Sequence, residues 1–289
     1  MFYAFFICFV STLWTDNSPS VIVVTIPKSG SHLVKYIVSL VLNKEPIDVN
    51  TFVGYGPDKF SSYLDAEFTP ETQFIMFHTE ETPEIETYLR KYPDAKVILT
   101  VRNLKDLIVS AKDYTAFPYF DEYIFLFHSI SMVEWASYNN KQHLIDTMRY
   151  FFLFQEKKSR RFNMAHFVQD AISLVGKYPH TKVVKFEDFF RDHDSLLTQI
   201  HSIGEFLGKS LSQEELEFIA AQSIGNPGSH TYTDKKKINR FSEEFDDELM
   251  ELFTRYFGEL EVLYNRTFNY APEGGAPQVT FEVKLGRMR

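Results

Sequence analysis

A chain of 289 residues with 44% hydrophobic and 24% charged residues has the make-up of a globular protein, with material for one large α/β domain or two small ones. A formal net charge of −9 excludes general nucleic-acid affinity, which needs a basic face to displace counterions, but leaves room for a local basic pocket. The single cysteine, Cys8, excludes an intrachain disulfide, a thiolate metal cluster and a cysteine redox pair, and fits a reducing compartment.

The chain opens on a 14-residue apolar run, MFYAFFICFVSTLW, followed by TDNSPS. The run is short for a membrane-spanning helix. It has the length of a signal-peptide core, but no basic residue precedes it and no small-x-small cleavage site follows. Residues 1–20 are therefore expected to be an apolar leader, with a signal, an anchor and a buried segment all open. Membrane association through residues 1–14 is one expectation that follows.

Residues 21–26 are continuously apolar or β-branched, which predicts a fully buried strand. Leu33, Tyr36, Ile37, Leu40 and Val41 then recur at helical spacing. The stretch NKEPIDVNTFVGYGPDKFSS carries Pro and Gly punctuation and reads mainly as loop. QFIMFH predicts a second strand, PEIETYLRKYPDA a helix, KVILTVR a third strand, and NLKDLIVSAKDY a helix capped near Asn103. Residues 116–160 form an aromatic-rich, helical insertion. A further helix precedes TKVVKFEDF, expected as a fourth strand, and the remainder reads as helices around a basic loop. Residues 21–270 are taken as one domain and 271–289 as a tail. Strands alternating with helices predict an α/β fold with a mostly parallel sheet covered on both faces. Ligands of such sheets bind beyond the carboxyl ends of the strands.

Three strand ends carry candidate chemistry. After the first strand, Pro27-Lys28-Ser29-Gly30-Ser31-His32 leads into a helix whose first amides suit an anion. Gly30 permits close backbone approach, Lys28 adds a charge, and Ser29, Ser31 and His32 add donors. The loop lacks the second glycine and the Lys-Ser/Thr pair of a Walker A motif. After the second strand stands His78, a candidate general base. After the third stands Arg102, with Ser110 eight residues on, a spacing that lets a guanidinium and a hydroxyl approach one phosphate. Lys235, Lys236, Lys237 and Arg240 form a basic run that reads as a solvated face or as a flap over an anion. The histidines show no metal-ligand spacing, so no metal site is expected.

Together these segments resemble the sulfotransferases that use 3′-phosphoadenosine 5′-phosphosulfate (PAPS). PKSGSH is similar to that family's PKSGTTW-type loop, VRNLKDLIVSAKDY to its 3′-phosphate segment, and VVKFEDFFRDH to its strand with Tyr-Glu-Asp. The resemblance runs through residues 21–260 in the same order. It implies a P-loop-like architecture and sulfuryl transfer from PAPS to a hydroxyl or amine of a small acceptor, without a metal; the aromatic insertion could line a pocket for a lipophilic one. By it, Lys28 neutralises the leaving phosphate, Ser29, Gly30, Ser31 and His32 hold the 5′-phosphosulfate, and Arg102 and Ser110 hold the 3′-phosphate. His78 is the base, Phe186 contacts adenine, and Lys235, Lys236 and Lys237 stand nearest the family's Arg-Lys-Gly signature.

The departures are specific. His32 replaces a threonine, Leu33 a tryptophan, Met76 a lysine and Phe186 a tyrosine, while HTEE replaces His-Leu-Pro. No copy of the family's short dimer motif is evident, so the oligomeric state is open. A nucleotide or metabolite kinase of P-loop type and a non-catalytic nucleotide-binding member of the fold are the alternatives. A donor made from adenosine nucleotides suits a cytoplasmic or membrane-tethered enzyme.

Overall fold

The computed structural model describes residues 19–48, 56–79, 82–115, 137–153, 164–224 and 238–270. The apolar leader, Glu80 and Glu81, most of the aromatic insertion, Lys235 to Lys237 and the tail lie outside the described residues.

Five parallel strands form one sheet in the order β2-β3-β1-β4-β5. The strand β1 (Val21–Thr25) is central, and every one of its residues is buried because helices cover both faces. It pairs with β3 (Gln73–His78) on one side and β4 (Lys96–Val101) on the other, with Thr25 opposite His78 and Thr100. The edges are β2 (Glu45–Asp48) and β5 (Lys182–Lys185).

Alternation along β1 divides the core. Val21 and Val23 face a layer made by α1 (Ser31–Leu42), with Leu196, Ile200 and Ile203 from a later helix. Ile22 and Val24 face the opposite layer. There lie α2 (Gly56–Ala66), α3 (Thr82–Lys91), α4 (Leu104–Thr115), α5 (Asn140–Leu153) and α6 (Met164–Lys177). After β5 come a 3-10 turn (Phe186–Phe189), α7 (His193–Leu207) and α8 (Gln213–Ser223) on the α1 side. The short α9 (Phe241–Glu244) then leads to α10 (Asp247–Phe268), which packs Phe253, Phe257 and Tyr264 onto the other face.

The helix ends follow local chemistry. Asn103 Oδ1 accepts from the Lys105 amide at 2.9 Å, the cap expected for α4. Ser212 and Glu215 form a reciprocal capping box on α8, and Asp192 caps α7 through the Ser195 amide.

Two expectations need correction. The stretch NKEPIDVNTFVGYGPDKFSS contains β2 and the first turns of α2, so it is not mainly loop. Pro46 is compatible with β2 because that strand lies at the sheet edge, where one side needs no N–H donor. TKVVKFEDF is a strand only over Lys182–Lys185, because Phe186 to Phe189 coil into the 3-10 turn that carries Glu187 toward the end of β4. Among the described residues, no helix is long and apolar enough to cross a membrane.

Candidate active site

The parallel register brings the ends of β1, β3 and β4 side by side, and each end delivers one of the three candidate groups. The turn after β1 is the most constrained. Lys28 has φ 70° and Gly30 φ 100°, both left-handed. For Lys28 that backbone is strained by about 1–3 kcal/mol, a strain that persists only where surrounding contacts enforce it. Ser29 supplies the enforcement. Its hydroxyl contacts the Ile26 carbonyl at 2.6 Å and Thr100 Oγ1 at 2.6 Å, and its amide donates to Ile26 at 3.0 Å. At 1% exposure, Ser29 fixes the loop to β4, so its hydroxyl serves the turn. The turn delivers the start of α1, where helix amides and dipole favour an anion.

Lys28 is half-buried in this turn. Burial, reinforced by the Arg102 charge, pushes its amine down to about 8, with Asp113 opposing. Ser31 is turned inward, donating from Oγ to Thr25 Oγ1 at 3.0 Å, whereas His32 is exposed.

Arg102 is 4% exposed and meets groups from several elements. Its guanidinium carbon lies 4.2 Å from the Phe186 ring centroid, and NH1 donates to the Lys28 carbonyl at 3.4 Å. NH2 lies 3.8 Å from Asp106 Oδ2. Tyr264 clamps its backbone: the Arg102 amide donates to Tyr264 Oη at 3.1 Å, and that hydroxyl donates to the Arg102 carbonyl at 2.8 Å. The next amide, Asn103, donates to Glu187 Oε1 at 2.8 Å, and Tyr270 donates to Oε2 at 2.9 Å. Burial raises the Glu187 carboxyl above its ordinary value and lowers Arg102 below its own, while these partners oppose both shifts. Ser110 lies on α4 and is half-buried.

Phe186 links the turn after β1 to Arg102 beyond β4. A Cβ built on Gly30 would sit 2.6 Å from Phe186 Cδ2, so glycine is required both by φ and by this ring. The ring thus touches the phosphate-type loop while stacking on Arg102.

His78 is half-buried at the end of β3, with Nδ1 2.9 Å from Thr25 Oγ1. Burial holds its imidazole below the ordinary value of 6.5 against the opposing effects of Thr25 and Asp48. It is therefore neutral near pH 7, the state a base needs.

The run Lys235 to Lys237 lies outside the described residues, but its C-terminal neighbour is anchored. Asp106, fully buried, accepts from the Asn239 amide at 2.7 Å and from the Phe241 amide at 3.1 Å while pairing with Arg102. Arg240 pairs with Asp113 at 2.7 Å and Glu244 at 2.8 Å. Four residues escaped the sequence reasoning: Thr25, Asp106, Glu187 and Tyr264. Thr25 had one signal, a hydroxyl closing an otherwise aliphatic strand. Tyr264 had none, because its contact spans 162 residues. Among the described residues, no cluster of His, Cys, Asp and Glu could hold a metal ion.

An all-parallel sheet whose central strand runs through a tight glycine turn into a helix defines an α/β protein of the P-loop-like class. The chain belongs to the sulfotransferase family: the sulfotransferase domain matches residues 18–260. A search of curated proteins finds no match. Among solved structures, the chain is similar to a retinol dehydratase in complex with androsterone and the inactive cofactor PAP, at TM-score 0.61 and 15% identity over 88% of this chain and 82% of that one. It is also similar to a mouse sulfotransferase complexed with PAP, at TM-score 0.58 and 16% identity over 88% and 89% of the two chains. At such identities the likeness concerns the fold.

Proposed function

We propose that the chain transfers a sulfuryl group from PAPS to a hydroxyl or amine of a small lipophilic acceptor by in-line displacement. The observation that carries this reading is the convergence of Lys28, His78 and Arg102 at three adjacent strand ends, bridged by Phe186 and Thr25. PAP in both structural neighbours supports PAPS as donor, and androsterone in one supports a lipophilic acceptor.

In this reading the start of α1 and Lys28 hold the 5′-phosphosulfate, and Arg102 with Ser110 holds the 3′-phosphate. The acceptor oxygen or nitrogen bonds to sulfur as the bond from sulfur to the 5′-phosphate oxygen breaks. His78 takes the acceptor's proton, and Lys28 neutralises the charge left on the phosphate. The products are the sulfated acceptor and adenosine 3′,5′-bisphosphate (PAP), with the His78 proton passing to solvent. Fixed charges aimed at a spread negative charge supply most of the stabilisation, as in phosphoryl transfer.

The test is calorimetric titration with PAP in the absence of magnesium, with 5′-AMP as comparison. Tight binding that prefers the 3′-phosphate is expected, weakened about 10- to 100-fold in Arg102→Ala, the scale of lost hydrogen bonds to a charged group. His78→Ala should keep PAP affinity and lose turnover by about 100-fold or more. Equal, weak binding of both nucleotides by the folded protein would overturn the donor assignment. Tight PAP binding without turnover on a broad acceptor panel would instead mark a nucleotide-binding member of the fold.

A further inference from the structure

The geometry points to Thr25 as a positioning residue that sets which nitrogen of His78 carries the proton, with Ser31 locking Thr25 in turn. The inference deepens the proposed role of His78 and rests on it.

Thr25 Oγ1 is fully buried and has three polar neighbours in this structure. Ser31 Oγ donates to it at 3.0 Å, the Phe77 carbonyl lies at 3.3 Å, and His78 Nδ1 lies at 2.9 Å. A hydroxyl has one proton to give and two lone pairs with which to accept. The Phe77 carbonyl can only accept, and the Ser31 hydroxyl already donates. One proton arrangement satisfies all three contacts: Thr25 donates to Phe77 and accepts from Ser31 and from Nδ1–H of His78. The opposite arrangement, Thr25 donating to Nδ1, leaves the Phe77 contact unmade.

With the proton on Nδ1, the lone pair of neutral His78 is on Nε2. An acceptor's proton then passes to Nε2, giving an imidazolium whose Nδ1–H stays bonded to Thr25. The device has the logic of a buried partner that fixes a catalytic imidazole's tautomer, here with a neutral hydroxyl in place of a carboxylate. The register makes it inevitable: Thr25 and His78 are paired residues on adjacent parallel strands, and Ser31 opens the helix that follows β1. Among the described residues, Asp48 on β2 favours protonation of His78 and Lys28 opposes it. Both act on the charge of the ring, whereas Thr25, whose backbone also bonds the ring and favours its protonated form, acts on a particular nitrogen through its hydroxyl.

The test is long-range proton–nitrogen correlation NMR on ¹⁵N-histidine-labelled protein without ligand, with His78 assigned by the signal missing in His78→Gln. The wild type should show His78 protonated at Nδ1, and Thr25→Val, which removes the hydroxyl at nearly constant shape, should move the ring toward the Nε2–H tautomer. Thr25→Ser should restore the wild-type signature. In steady-state assays kcat should fall about tenfold or more in Thr25→Val, part of the ~100-fold or greater worth of a general base, with PAP affinity retained and recovery in Thr25→Ser. An Nε2–H tautomer in the wild type, or a ring unchanged in a folded Thr25→Val, would overturn the inference. A shifted tautomer with unchanged kcat would overturn its catalytic half. Because the spectra need neither donor nor acceptor, they decide the tautomer even where the sulfotransfer reading fails.

Discussion

At the scale of single residues, the site is set by burial acting on three bases of different kind. Lys28 at about 8 is half charged at pH 8, and a bound anion stabilises only its charged form. Donor affinity should therefore be full below pH 8 and fall as pH rises through it, with proton uptake on binding near pH 8. Calorimetry in buffers of different ionisation heat measures that uptake. His78, as the proposed base, sets the opposite limb: with its imidazole held below 6.5, that limb lies below the ordinary histidine value. The profile of kcat/KM should be a bell with its acid limb below 6.5 and its alkaline limb near 8. Lys28→Arg should abolish the alkaline limb while leaving the acid one. The grouping of His78 at the end of β3 with Arg102 and Lys28 just beyond β4 and β1 was legible in the sequence because parallel strands all end on the same side of a sheet. Thr25 was overlooked because it reads as part of the strand, and only its register with β3 gives it a partner.

At the scale of elements, distant segments immobilise the strand ends. Tyr264 makes two hydrogen bonds to the Arg102 backbone from the interior of α10. Tyr264→Phe leaves a buried amide and a buried carbonyl to find other partners and should cost about 1–3 kcal/mol, read as a lower denaturant midpoint at unchanged m. If Arg102 holds the 3′-phosphate as proposed, PAP affinity should drop further than 5′-AMP affinity. Gly30→Ala adds both left-handed strain and a collision with Phe186. It should weaken PAP binding about tenfold or more, with stability lowered by about 1–3 kcal/mol. The strands β1, β3 and β4 were legible because they are continuous apolar runs. β2 was not, since four residues containing a proline carry no periodicity, and only an edge position makes them a strand.

At the scale of the whole molecule, the sheet separates two apolar clusters, one under α1, α7 and α8 and one under the remaining helices. Both touch alternate residues of the same central strand, so neither layer can open alone without exposing it. Phe253, fully buried on α10, should cost about 3–5 kcal/mol when replaced by alanine, and PAP should raise the variant's Tm by mass action if Arg102 remains in place. The layered fold was legible from the alternation of strands and helices. The wiring of α10 to the end of β4 was not, because nothing in a helical stripe tells which of its buried tyrosines meets a backbone 162 positions earlier.

That wiring has a consequence for the order of events on the ribosome. The loop after β1 emerges early, but Arg102 is clamped only once α10 has been made and has docked. A nascent chain holding all five described strands would still lack the tyrosine that holds the Arg102 backbone. The end of β4 therefore reaches its final, clamped form only when one of the last described helices has docked.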